Sequence, residues 1–99
     1  MAKRLPPIHP GLILAEDLRD AGVSLNRLAR DIRVPMNRIS AIVNGKRSIS
    51  ADTAIRLALF FGTTPQYWMN LQSGFDLALA DLEAGPRIRE DVKAFAQTL

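Results

Sequence analysis

Six basic side chains stand within the 24 residues from Ser24 to Arg47: Arg27, Arg30, Arg33, Arg38, Lys46 and Arg47, against one acid, Asp31. A local charge of +5 is the kind of surface that attracts phosphate backbones. Interleaved with it are Met36, Asn37, Ser40, Ala41 and Asn44, short residues of the sizes that reach base edges in a groove. Asparagine pairs bidentately with adenine, so Asn37 is the candidate for a direct base contact. Met36 and Ala41 suit thymine methyls, and Ser40 donates or accepts. Arg38 can reach a guanine or a phosphate, and phosphate is the preferred assignment. Ser24, Asn26, Arg27, Asn44, Lys46 and Arg47 are candidates for backbone phosphates, the first two at a helix N-terminus whose dipole adds to the attraction. Two residues also have plainer readings: Arg30 as a surface partner of Asp31, and Asn44 as a cap before Gly45.

Such residues work only if two short helices hold them at a fixed angle. Ser24 is a good N-cap, and Leu25, Leu28, Ala29 and Ile32 then share one helical face up to Ile32. After a short turn, Pro35 opens a second helix that Asn44-Gly45 ends. Its inward stripe is Ile39, Ile42 and Val43. Ala29, Ile32, Val34, Ile39 and Ile42 are expected to clamp the pair, leaving Met36, Asn37, Ser40, Ala41 and Asn44 outside. This is a helix-turn-helix pattern, whose second helix fits the roughly 12 Å major groove of duplex DNA.

The remaining elements also read as helices, which makes the chain all-α. One runs from Pro10 to Ala21, stopped by Gly22, with Leu14 and Leu18 inward and Glu16, Asp17 and Asp20 towards water. Another is capped by Ser50 and runs to Phe61, offering Ala54, Ile55, Ala58 and Phe61 to the core. A fifth starts at Thr64-Pro65, carries Tyr67, Trp68, Leu71, Phe75, Leu79 and Leu82, and breaks at Glu83-Ala84-Gly85-Pro86. Residues 87–99 are a candidate sixth helix, with Ile88, Val92, Phe95 and Leu99 on one side. The chain therefore divides into an extended arm (1–8), a helix-turn-helix domain (9–83) and a tail (84–99). Residues 60–75 contain no charge at all. Part of the surface formed by Tyr67, Trp68, Leu71 and Phe75 is assigned to a dimer interface, with ordinary core as the plainer reading. His9 is expected to cap the first helix or to pack structurally.

Composition narrows the function further. Cysteine is absent and His9 is the one histidine, which removes thiol chemistry and thiolate metal sites and leaves little for acid–base catalysis. No nucleophile–base set, phosphate-cradling glycine loop or metal cluster is evident, so an enzyme, a metal and a cofactor are not expected. No apolar run reaches the roughly 20 residues of a membrane span, and the N-terminus lacks a signal-peptide apolar core, which points to the cytoplasm. Charge divides unevenly: residues 1–50 carry nine bases and four acids (+5), residues 51–99 four bases and six acids (−2). The second half is suited to a different partner from the first. RNA is disfavoured, because no aromatic stacking platform accompanies the basic segment.

The run Asn37-Arg38-Ile39, Ile42-Val43-Asn44-Gly45-Lys46-Arg47 and Ala51-Asp52-Thr53-Ala54-Ile55-Arg56-Leu57-Ala58 resembles the XRE, or lambda-repressor-like, helix-turn-helix family. His9-Pro10-Gly11, Ile13-Leu14 and the segment from Phe61 to Gln72 are similar to the HigA-type (VapI-like) antitoxins within it. The resemblance spans about residues 8–83. It implies a five-helix lambda-repressor-like domain, a homodimer on a palindromic operator, a small basic toxin partner with a RelE-like ribonuclease fold, and repression of the shared operon. The alternative is a stand-alone XRE-family regulator with no toxin. Arg33 departs from the pattern, standing where relatives usually have glycine in a turn that tends to positive φ, at a cost of about 1 kcal/mol. Met36 also departs, so an operator sequence does not carry over.

Overall fold

The computed structural model describes residues 6–96. Among these residues there are five helices and no strand: α1 (Pro10–Ala21), α2 (Leu25–Ile32), α3 (Met36–Val43), α4 (Ala51–Phe61) and α5 (Pro65–Asp91). Four of the five starts are closed by the expected side chains. His9 Nδ1 accepts from the Gly11 N–H at 2.9 Å, and Ser24 Oγ from the Arg27 N–H at 3.1 Å. Ser50 Oγ and Thr64 Oγ1 accept from Thr53 and Tyr67 in the same way. Each cap satisfies an amide that the first helical turn leaves without a partner.

The core is one cluster drawn from all five helices and their links: Leu14, Leu18, Leu28, Ala29, Ile32, Val34, Ile39, Ile42, Ile49, Ala54, Leu57, Ala58 and Trp68. All five residues expected to clamp α2 to α3 are in it. α1 crosses α3 at very short range. A Cβ added to Gly11 would overlap the backbone carbonyl of Ile42, so only glycine allows this approach. In α4 the core phase differs from the expected one. Ile55 is 51% exposed while Leu57, not singled out beforehand, is fully buried. Ala54 and Ala58 let α4 lie close to its neighbours, and Leu57 then shares their side of the helix while Ile55 is rotated outward.

The expected break at Glu83-Ala84-Gly85-Pro86 is overturned: α5 runs unbroken through Pro86 for 27 residues. Proline removes one amide donor, but Pro86 and Leu82 are both exposed, so the loss falls on a solvent-facing side of the helix. An ion pair from Asp81 to Arg89 passes over Gly85, where a Cβ would collide with both side chains. The candidate sixth helix does not form among the described residues either. Residues 92–96 lack regular structure, and Leu99, the last of its stripe, lies outside the described range. The division at 83/84 consequently falls inside a helix. At about 1.5 Å per residue α5 is some 40 Å long, and it stretches the molecule to 55 × 29 × 23 Å.

Arg33 adopts φ 58°, ψ 49°, the only positive φ at a non-glycine residue among those described. The strain is tolerated because the turn is fixed on both sides. The Val34 N–H donates to the Ala29 carbonyl at 3.0 Å, and Arg56 Nη1 donates to the Ile32 carbonyl at 2.9 Å. Replacing Arg33 with glycine is expected to raise stability by about 1 kcal/mol, read as a higher midpoint in urea unfolding. An unchanged or lower midpoint would show that the arginine side chain offsets its own backbone cost.

Candidate nucleic-acid interface

The outer face of α3 is set by what its inner face buries. Ile39 and Ile42 are completely enclosed, so Met36, Asn37 and Asn44 turn to solvent, with Ser40 and Ala41 half-buried beside them. The structure thus brings together the five residues expected on that face, the two smallest sitting lowest. Arg38 is also half-buried, at the edge rather than the crest. Three backbone bonds close the C-terminal end of α3: Asn44 N–H to Ser40 O at 3.0 Å, Gly45 N–H to Ile42 O at 3.0 Å and Lys46 N–H to Ala41 O at 2.8 Å. Asn44 is the C-cap residue, and its Nδ2 lies 3.4 Å from Ser40 Oγ, so the capping reading of Asn44 has a structural basis. His9 supports this end from beneath, close to Gly45 and in edge contact with the Phe75 ring at 4.9 Å between centroids.

The cations differ in how free they are. Arg27 and Arg30 both reach Asp31, at 3.4 and 3.5 Å, in exposed pairs that hold little energy and yield readily to a phosphate. The plain reading of Arg30 therefore has a partner to support it. Among the described residues, Arg33, Arg38, Lys46 and Arg47 have no carboxylate partner. Ser24 and Asn26 are exposed at the N-terminus of α2, the Ser24 hydroxyl already engaged with its own helix. Charge of the opposite sign gathers on α1. Burial, then Asp20 and Glu16, push the Asp17 carboxyl above the usual carboxylate range.

Of the four residues assigned to a dimer surface, Trp68 is removed by the structure. It is wholly buried, its ring stacked at a tilt 5.7 Å from Phe61 and its indole N–H bonded to Thr63 Oγ1 at 3.1 Å. Helix spacing explains this: with Pro65 seated at the first turn, Trp68 points into the α4–α5 seam and Tyr67, one step round, points out. Tyr67 is 40% exposed, and Leu71 and Phe75 are half-buried.

Two residues with structural roles around this interface carried no assignment from sequence. Arg56 ties the end of α2 to α4 through the Ile32 carbonyl while pairing with Asp52 at 2.7 Å. Gln72, buried on α5, accepts from the Ile49 N–H. The available signal for Gln72 was its spacing of four from Trp68 in a stretch without charge, which places a polar group on a core-facing line.

This arrangement is a known one. A helix-turn-helix family model matches residues 14–68. The chain also superposes on a HigA-family addiction module antidote protein from Coxiella burnetii with a TM-score of 0.88 and 50% identity, covering 92% of this chain and 100% of that one. The chain belongs to the HigA-type branch of the helix-turn-helix family. It is 45% identical over 78 residues to virulence-associated protein I of Dichelobacter nodosus, covering 78% of this chain and 72% of the relative. A further HigA-type structure, the Pseudomonas aeruginosa antitoxin HigA with the higBA promoter, gives a TM-score of 0.87 at 42% identity, over 91% of this chain and 99% of that one. Other relatives are named as helix-turn-helix transcriptional regulators, among them YddM of Escherichia coli, 36% identical over 74% of this chain and 78% of that one. No helix among the described residues is long and apolar enough to cross a membrane.

Proposed function

We propose that this chain is a sequence-specific DNA-binding antitoxin that represses its own operon. Two copies place α3 in successive major grooves of a palindromic operator about 34 Å apart and obstruct the promoter. Asn37 pairs with a base, Met36 and Ala41 touch thymine methyls, and Ser40 adds an adaptable hydrogen bond. Ser24, Asn26, Arg27, Arg38, Asn44, Lys46 and Arg47 engage phosphates. The observation that carries this reading is the exposed face of Met36, Asn37 and Asn44 on a fully clamped α3, flanked by Arg33, Arg38, Lys46 and Arg47, which have no carboxylate partner among the described residues. The solved promoter complex of the Pseudomonas aeruginosa relative supports it.

The second activity is neutralisation of a small basic toxin of RelE-like ribonuclease fold. Its support is the outer part of α5 and the segment 92–96 beyond it, where Leu77, Leu82, Ile88, Val92 and Phe95 are exposed in a region of net negative charge. Exposed apolar side chains concentrated in one stretch of chain suit a protein partner better than they suit a stand-alone regulator. Pairing of two copies is assigned to the outward side of α5 around Tyr67, with Leu71 and Phe75 contributing their open edges.

Asn37→Ala tests the reading of α3. The expected result is loss of preference at one base pair per half-site, worth about 1–3 kcal/mol of discrimination, with the salt dependence unchanged. Competition among single-base variants of the promoter duplex measures it. Unaltered preference at every position would place Asn37 away from the bases. Copurification with the product of the adjacent reading frame tests the antitoxin role, and failure to retain it at low salt would leave a regulator alone.

A further inference from the structure

The loop from Asn44 to Ser50 carries Lys46 and Arg47, and its two ends are fixed locally. Asn44, Gly45 and Lys46 bond back to α3, and Ser50 caps α4. Between them, the Ile49 N–H donates to Gln72 Oε1 at 2.7 Å, a bond across 23 residues of sequence to α5. Gln72 is 4% exposed, one of two buried polar residues among those described. Its other end is also committed, since Nε2 donates to Asp76 Oδ1 at 2.9 Å. That second bond orients the amide. A carboxylate only accepts, so the NH2 must face Asp76 and the oxygen must face Ile49.

We infer that Gln72 is a positioning residue for the phosphate contacts of Lys46 and Arg47, holding their loop in register with α3 from α5. The inference rests on the DNA-binding reading above. Ile49 is itself buried at 2% exposure, so its side chain sets the depth of the loop while its amide bond sets rotation of the stretch of backbone behind Arg47 and Ser48. Loss of the acceptor leaves a buried N–H without a partner, which the loop relieves by turning that amide to water. Lys46 and Arg47 then sample many positions in place of one.

The test compares three proteins on a duplex carrying the chain's own promoter, across a series of salt concentrations: the unaltered chain, Gln72→Met, and Gln72→Glu combined with Asp76→Asn. Methionine keeps the volume and removes the acceptor. It is expected to weaken binding about tenfold, to flatten the salt slope by about one phosphate contact, and to speed hydrogen exchange at the Ile49 amide. The double variant has the same net charge and reverses the second bond: the introduced asparagine donates to the introduced carboxylate, which still accepts from Ile49. It is expected to bind within about threefold of the unaltered chain, and it remains informative if Gln72→Met fails to fold. A residue that served stability alone would lower the melting temperature without touching the salt slope of the folded protein. The inference is overturned if folded Gln72→Met keeps affinity and slope, or if the double variant loses both while its Ile49 amide stays protected. If the unaltered chain itself binds no duplex, the DNA-binding reading fails first and takes the inference with it.

Discussion

Replacing Lys46 and Arg47 together with alanine is expected to weaken binding to every duplex by roughly 60-fold at 0.1 M salt. Each phosphate contact releases counterions with a slope near −0.9, which is about eightfold per contact at that concentration. The slope of log affinity against log salt should therefore fall by nearly two. Both side chains are exposed and neither has a carboxylate partner among the described residues, so their removal costs the fold little. Relative affinity among base-pair variants should not change, because phosphates carry no sequence information. Fluorescence anisotropy at several salt concentrations gives both quantities. A loss confined to the promoter sequence would mean that these residues read bases.

Trp68→Ala should be the most damaging single change to the fold, at about 3–5 kcal/mol. The side chain is fully enclosed, and with Phe61 it fills the seam between α4 and α5. The variant leaves a large cavity and also removes the indole N–H that donates to Thr63 Oγ1. Total stability of a small domain lies between about 5 and 15 kcal/mol, so a substantial unfolded fraction at 37 °C is the expected outcome. Trp68→Phe retains most of the volume and should cost less than half as much. Urea unfolding separates the two, and equal losses would point to the hydrogen bond, not the packing.

What was legible in the chain was mostly local chemistry. Cap residues act within three positions, so His9, Ser24, Ser50 and Thr64 announced four helix starts, and the structure places each as an N-cap. The α2–α3 clamp was equally readable, because five apolar residues at helical spacing leave one way to bury them. Arg33 showed how far a turn's demand exceeds residue preference. The expected positive φ is present with arginine in place of glycine.

The misjudged features depend on the surroundings of a helix. A Gly-Pro pair commonly stops a helix, yet α5 continues through Pro86, where Leu82 and Pro86 both lie on its exposed side. Ile55 and Leu57 are comparable apolar residues, and which one faces inward depends on how closely Ala54 and Ala58 let α4 approach. Trp68 and Tyr67 are adjacent aromatics in a stretch without charge. Composition made both of them surface candidates, whereas the position of Pro65 in the first turn sends them to opposite environments. Gln72 was hidden for a related reason. Its partner is a backbone amide 23 residues away, and backbone groups leave no trace in a sequence.

The central claim is that the open face of α3 discriminates bases while the surrounding cations supply attraction. Affinity of the unaltered chain for its own promoter duplex, and for a scrambled duplex of identical composition, measured at 50 and 200 mM salt, tests it most directly. The expected result is a steep loss of affinity for both duplexes as salt rises, with preference for the promoter retained at both concentrations. Equal affinity for the two duplexes, or no binding to either at 50 mM, would contradict it.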